Sequence, residues 1–305
     1  MSAIERTDVA VSGGALATFR LGHGPERADP VVAVHGITAN SHCWLAVARA
    51  LDGRAELVAV DLRGRAASND LPPPYGMEAY SRDLLAVLDH FGLERAVLVG
   101  HSLGAYAVAR FATDHRDRVS AVLLVDGGLA APMPDDVDPQ AVIAAVLGPA
   151  LARLKQRFAT REAYFDWWRA HPAFAHADVS DPDLVAYADH DLAGEPPELR
   201  SSVGEDVVSA DAAEMLDLGR PAQRLEVPAE LVCAERGMID DSNPIQPEAL
   251  AQPWAAAAPE LRRTARVAGV NHYSLVMGAT GAGVLAEAIV RALQSRVGDR
   301  GLRSA

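Results

Sequence analysis

The sequence is short of several things, and each shortage excludes something. Two cysteines in 305 residues, Cys43 and Cys233, rule out a disulfide framework, and no metal-ligand spacing surrounds either. Both read as small buried apolar residues. Positive charge is scarce: 28 basic side chains face 41 acidic ones, the formal net charge is −13, and Lys155 is the only lysine. That balance opposes binding to nucleic-acid phosphate or to an anionic membrane surface, so neither is expected as a partner. Long hydrophobic runs are missing too. The longest nearly apolar stretch, residues 141–152, contains Gly148-Pro149 and falls short of the roughly 20 residues that a membrane-spanning helix needs. The start, Met1-Ser2-Ala3-Ile4-Glu5-Arg6, has no apolar signal core, and a cytoplasmic location is expected. What is present is apolar surface: half of the residues are hydrophobic, ample for a large core and incompatible with global disorder.

Short β-branched runs alternate with longer helical patterns, the signature of a mostly parallel sheet with helices on both faces. Strands are predicted at 8–11, 15–21, 31–34, 57–60, 96–99, 121–125, 230–233 and 264–267. Several are continuous apolar runs, as befits strands covered on both sides. Helical stripes occur at 77–91, 103–111 and 284–293, and the tail after Ser295 is expected to fray. One segment breaks the alternation. From about 130 to 226 no strand is predicted, and Gly148-Pro149, His171-Pro172, Asp181-Pro182 and Pro196-Pro197 punctuate short helical stretches. It is too long for a loop and reads as a helical insertion.

The run 96–99 leads into Gly100-His101-Ser102-Leu103-Gly104 and then a helical pattern, which is Gly-x-Ser-x-Gly in its strand–turn–helix setting. A serine on so tight a turn presents its hydroxyl at the carboxyl edge of the sheet. Side chains at Gly100 or Gly104 would collide with neighbouring backbone. Upstream, the third strand ends in His35-Gly36-Ile37-Thr38. The backbone N–H of Ile37, with that of Leu103 at a helix start, makes a candidate oxyanion hole, and His35 reads as a structural member of that loop. Val270-Asn271-His272-Tyr273 follows the last predicted strand, which brings His272 to the same sheet edge as a candidate general base.

In this order the residues resemble the α/β-hydrolase fold family over essentially the whole chain. His35-Gly36 is similar to its oxyanion loop, and Asp61-Leu62-Arg63-Gly64 with Ser68 to the loop after its fourth strand. Gly100-His101-Ser102-Leu103-Gly104 is similar to its nucleophile elbow, and His272 to its terminal base. The resemblance implies an eight-stranded, mostly parallel sheet, helices on both faces and a helical cap between strands six and seven. The core would then be 1–129 and 227–305, and the cap 130–226. The sequence departs from the family at the triad acid. Members usually place an aspartate just past the seventh strand, where Cys233-Ala234-Glu235-Arg236-Gly237 has glycine. Asp126, ending strand six in Leu124-Val125-Asp126-Gly127-Gly128, is the first candidate, since strand-six acids occur in some branches. Glu235 is the second, with Asp240 and Asp241 behind it. A carboxylate is needed to set the tautomer of the base and to stabilise its imidazolium.

A serine at the elbow, where epoxide hydrolases and dehalogenases of this fold carry aspartate, points to acyl transfer from a small-molecule ester or lactone to water. No cofactor and no metal are expected. Seven of the 16 aromatic residues fall within 158–187. Tyr164, Trp167 and Trp168 among them are candidates to roof a bulky apolar or aromatic substrate; the alternative is that they pack the cap's own helices. A strand-six acid with a bulky cap is loosely similar to mycotoxin lactone hydrolases of the zearalenone type, which open large resorcylic lactones. Two other readings share the motifs: a non-turnover small-molecule receptor on this scaffold, and a lyase or carbon–carbon hydrolase using the same triad. The sequence carries no signal for or against a homo-oligomer. Of the net charge, −10 falls within 130–226, which reads as a solvated outer cap surface.

Overall fold

Alternation of side chains decides which helices cover which side of the sheet. A computed structural model describes residues 4–26, 28–129, 152–214 and 219–303. In chain order the strands are β1 (Glu5–Val11), β2 (Gly14–Leu21), β3 (Val31–Val34), β4 (Leu57–Val60), β5 (Ala96–His101) and β6 (Val119–Val125). They continue with β7 (Leu192–Ala193), β8 (Arg200–Ser201), β9 (Ala229–Ala234) and β10 (Arg262–Val267). Eight form one sheet in the order β1-β2-β4-β3-β5-β6-β9-β10. β2 pairs antiparallel with β1 and β4, and all other pairs are parallel. Val31, Ala33, Val97, Val99, Leu123 and Val125 point to one face, packed with helices Leu45–Leu51 and Ala279–Arg303. Val32, Val34, Leu98, Val122 and Leu124 point to the other, under helices Met77–His90 and Leu103–Asp114. Each such fully buried Val or Leu contributes roughly 1.5–3 kcal/mol.

The eight predicted strands are all present, with bounds that move by a few residues. The consequential shift is β5, which continues through Gly100 to His101 and so runs directly into Ser102. In the last helix Ala282, Leu285, Ala286, Ala288 and Ile289 are buried in the core, and Val284, Val290, Ala292 and Leu293 pack against it. Residues beyond Ser295, expected to fray, are helical through Arg303. Among the described residues, no helix is long and apolar enough to cross a membrane.

The insertion differs from its all-helical expectation. Alongside helices Arg161–Arg169, Asp181–Asp191, Glu205–Glu214 and Arg220–Gln223 it contains the antiparallel two-residue hairpin β7–β8, too short to leave a periodic trace. Two of its proline breaks are helix starts, Pro172 and Pro182: Ser180 Oγ accepts from the Asp183 N–H, and Pro182 occupies the first turn, where its missing N–H costs nothing, whereas Pro196-Pro197 lies in the turn between β7 and β8. The run 141–152 lies almost wholly outside the described residues. The acidity is not all solvated either. Asp183, Asp191 and Asp211 are buried and pair with Arg49, Arg153 and Arg65. The insertion docks on loops at the carboxyl edge of the sheet, where Asn40 Nδ2 donates to the Tyr187 carbonyl at 3.0 Å and His190 Nε2 meets Asp61 Oδ2 at 2.7 Å.

Candidate active site

Ser102 sits between β5 and helix Leu103–Asp114 with φ 54° and ψ −120°, left-handed backbone that a non-glycine residue holds only under constraint. The constraint is visible. The Ser102 N–H donates to the Val125 carbonyl at 2.9 Å and its own carbonyl accepts from the Ala105 N–H at 3.0 Å. A Cβ at Gly104 would lie under 3.0 Å from the Val34 carbonyl oxygen, and one at Gly100 equally close to the Gly104 carbonyl. Both glycines let the helix start press against the sheet.

Asp126 follows β6, the strand beside β5, also at positive φ (43°) and fully buried. Its Oδ1 accepts from the Ala234 N–H at 3.1 Å, which leaves Oδ2 to receive the His272 Nδ1 hydrogen at 2.7 Å. That contact puts the His272 proton on Nδ1 and the lone pair on Nε2. The loop bearing His272 is braced by Asn271: its Oδ1 accepts from the N–H groups of Tyr273 and Ser274, and its Nδ2 donates to the Ala173 carbonyl at 2.7 Å. His101 Nε2 donates to the His272 carbonyl at 3.0 Å. Burial, reinforced by His272 alongside, pushes the His101 pKa well below its usual range and keeps that ring neutral.

Ser102 and His272 line one recess of about 30 Å³ with Gly36, Ile37, Thr38, Tyr187, Met238 and Tyr273. On its rim the Gly36 carbonyl accepts from His35 Nδ1 at 2.7 Å and from the Ala39 N–H at 3.2 Å. Across a trans peptide, fixing the Gly36 carbonyl fixes the direction of the Ile37 N–H. His35 Nε2 in turn accepts from the Leu62 N–H at 3.0 Å, so the ring is the neutral Nδ1–H tautomer; burial pushes its pKa down to about 4. The Leu103 N–H lies in the first turn of its helix and has no intrahelical partner there.

The other predicted site residues are not brought to this recess. Glu235 Oε2 accepts from the Gly269 N–H at 2.7 Å, away from His272; Asp240 pairs with Arg236, and Asp241 accepts from the Asn243 N–H. Tyr164 and Trp168 are buried in a ring cluster with Phe158, Phe174, Tyr187 and Tyr273, and Trp167 packs edge-on against Trp168. They pack the insertion's own helices together, with the Tyr164 hydroxyl and the Trp168 face meeting buried Arg153 of the same insertion, and reach the sheet domain through Tyr273. Tyr187, Met238 and Tyr273 are the recess residues that sequence reasoning missed. Tyr273, next to His272, was the one with a local signal. Among the described residues no cluster of His, Cys, Asp or Glu has the makings of a metal site.

Residues 29–160 match the model of the alpha/beta hydrolase fold. The uncharacterized protein Rv2715 of Mycobacterium tuberculosis is 37% identical over 120 residues, 36% of this chain and 34% of that protein. A Klebsiella pneumoniae protein named as a carbamate hydrolase, RutD, is 37% identical over 103 residues, 33% of this chain and 39% of its own length. The chain thus spans well under half the length of these relatives. The solved structure of E-2-(acetamidomethylene)succinate hydrolase superposes with a TM-score of 0.74 at 20% identity, covering 96% of this chain and 100% of the other. The strand order, the elbow and the family match over residues 29–160 agree on the α/β-hydrolase fold.

Proposed function

We propose that the chain is a serine hydrolase acting on a carboxylic ester or lactone through an acyl-enzyme. The observation that carries this reading is the 2.7 Å contact from His272 Nδ1 to buried Asp126, with Ser102 held at a strained elbow on the same recess. Ser102 Oγ attacks the carbonyl carbon as His272 Nε2 takes its proton, and Asp126 stabilises the imidazolium. The N–H groups of Ile37 and Leu103 receive the developing oxyanion, each worth roughly 3 kcal/mol of barrier. Collapse expels the alcohol with the proton from His272, and water activated by the same ring frees the acid. Residues 130–226 act as a cap over a core of 1–129 and 227–305.

Tyr187, Met238 and Tyr273 give the recess an apolar and aromatic wall, which supports an apolar or aromatic acyl group; a large resorcylic lactone needs more room than its volume of about 30 Å³. A second reading is hydrolysis of a C–N bond in a carbamate or amide, favoured by the names of RutD and of E-2-(acetamidomethylene)succinate hydrolase.

Fluorophosphonate labelling read by mass spectrometry tests the mechanism: the modified peptide contains Ser102, and Ser102→Ala abolishes both label and turnover. A label on another residue sinks it. A panel of aryl ester, macrocyclic lactone, carbamate, N-acyl amide and diketone ranks the substrate classes. Turnover of the diketone alone selects carbon–carbon cleavage, and stoichiometric binding without turnover selects the receptor.

A further inference from the structure

Three consecutive carbonyls of the loop 36–38 are gripped. Gly36 is held by His35 and Ala39, as described. The Ile37 carbonyl accepts from Arg65 Nε at 3.1 Å, and the Thr38 carbonyl from Arg153 Nη2 at 3.0 Å. The first two grips come from the sheet domain. The third comes from the insertion.

Arg153 is built for a fixed position. It is 2% exposed, and its Nη1 donates to Asp191 Oδ2 and to the Tyr164 hydroxyl, both at 2.7 Å. Its guanidinium lies over the Trp168 ring, 5.0 Å from the centroid. Asp191 is itself held, with Oδ1 accepting from the hydroxyls of Ser201 and Ser202 at 3.0 Å each. Ser202 reaches back to the sheet domain by accepting from the Ala66 N–H at 2.9 Å. Both β8 and the end of helix Asp181–Asp191 thus serve to orient one guanidinium. A buried ion pair adds little net stability compared with apolar residues of the same shape. So much polar structure around Arg153 is better explained by the place where its free arm ends, one residue past Ile37.

Building on the serine-hydrolase reading, we propose that Arg153 is a positioning residue for the oxyanion hole: by holding the Thr38 carbonyl it ties the seating of the cap to the direction of the Ile37 N–H. The planar fork matters here. One Nη engages Asp191 while the other reaches Thr38, and a lysine, with a single nitrogen, keeps the ion pair but not both contacts. The expected loss is in transition-state stabilisation and not in substrate binding, since the hole grips the oxyanion and only weakly the ground-state carbonyl.

The test uses the full chain, p-nitrophenyl acetate turnover and a trifluoromethyl ketone, which forms a tetrahedral oxyanion adduct on Ser102. In Arg153→Lys, kcat falls about tenfold with KM within about threefold, and the ketone inhibition constant rises by about the same tenfold, below the cost of losing a whole donor. Arg153→Gln/Asp191→Asn removes both charges together, leaves no buried ion unpaired, and gives the same pattern if the lysine variant does not fold. A merely structural role lowers the melting temperature and leaves kcat and ketone affinity within about twofold of the unsubstituted protein; that result overturns the proposal. If fluorophosphonate labels Ser102 normally and these variants are unchanged, this proposal alone fails. If the unsubstituted protein is neither labelled at Ser102 nor active, the hydrolase reading fails and takes this one with it.

Discussion

His35 makes stability depend on pH in a way that can be isolated. The ring is wholly buried and neutral, donating through Nδ1 to the Gly36 carbonyl and accepting through Nε2 from the Leu62 N–H, and burial lowers its pKa from 6.5 to about 4. Between those two values the unfolded chain holds a proton that the native protein lacks, so stability rises with pH. The contribution is complete above the unfolded value and is lost progressively as pH falls toward 4. The two pKa values give a loss of about 2 kcal/mol at pH 5 and about 3 kcal/mol at pH 4 relative to pH 7. With a urea slope of roughly 3 kcal/mol/M, that is a fall of about 1 M in the unfolding midpoint at pH 4. His42, also lowered to about 4 by burial and by neighbouring His190, adds an acid sensitivity of its own. The comparison must therefore be with His35→Gln, whose amide keeps one donor and one acceptor but does not titrate. Urea midpoints followed from pH 7 to pH 4 should fall more steeply in the unsubstituted protein, by about 1 M over the range. Parallel slopes for the two proteins would falsify the buried neutral tautomer, and with it the account of how the Gly36 carbonyl is fixed.

Three further outcomes follow from the packing around the site. Asp126→Asn should lower kcat by about 10⁴-fold with little change in folding, because the amide holds His272 in the wrong tautomer, whereas Glu235→Gln should change kcat less than about threefold; the reverse ranking in steady-state kinetics moves the triad acid. Gly104→Ala should cost about 3 kcal/mol, read as a drop in melting temperature, since the new methyl meets the Val34 carbonyl, and an unchanged melting curve contradicts the close approach. Asp211→Ala leaves fully buried Arg65 without its carboxylate and should destabilise by about 3–5 kcal/mol in urea unfolding, with a loss under 1 kcal/mol refuting the burial of the pair.

The sheet was readable because strands covered on both faces spell themselves as uninterrupted apolar runs, and 31–34, 57–60 and 96–99 do so. The elbow was readable for a related reason: Gly100, Ser102 and Gly104 answer steric demands that few other residues meet. The acid was harder. Asp126 and Glu235 both end strands that reach the same sheet edge, and only pairing registers and loop paths bring one of them to His272. The insertion was the least legible. Its aromatics at helical spacing could have faced either a substrate or the insertion's own helices, and the contacts that decide it, Arg153 beneath Trp168 and Tyr273 from the sheet domain, are not given by spacing. Its acidic residues gave no sign that Asp191 and Asp211 sit in the interior, since burial of a charge depends on a partner that sequence does not place. The hairpin β7–β8 escaped because two residues carry no period.

The register of β5 against β6, His101 beside Val125, puts the proposed nucleophile and acid at the ends of neighbouring strands, only 24 positions apart in the chain. Ile37 also precedes the insertion, and of the four proposed functions only the base comes from beyond it. A backbone cut inside residues 130–226 would therefore divide the machinery three to one between two fragments. Neither fragment could turn over substrate alone, and activity recovered on mixing would report their reassembly, which makes this chain a natural candidate for a split reporter.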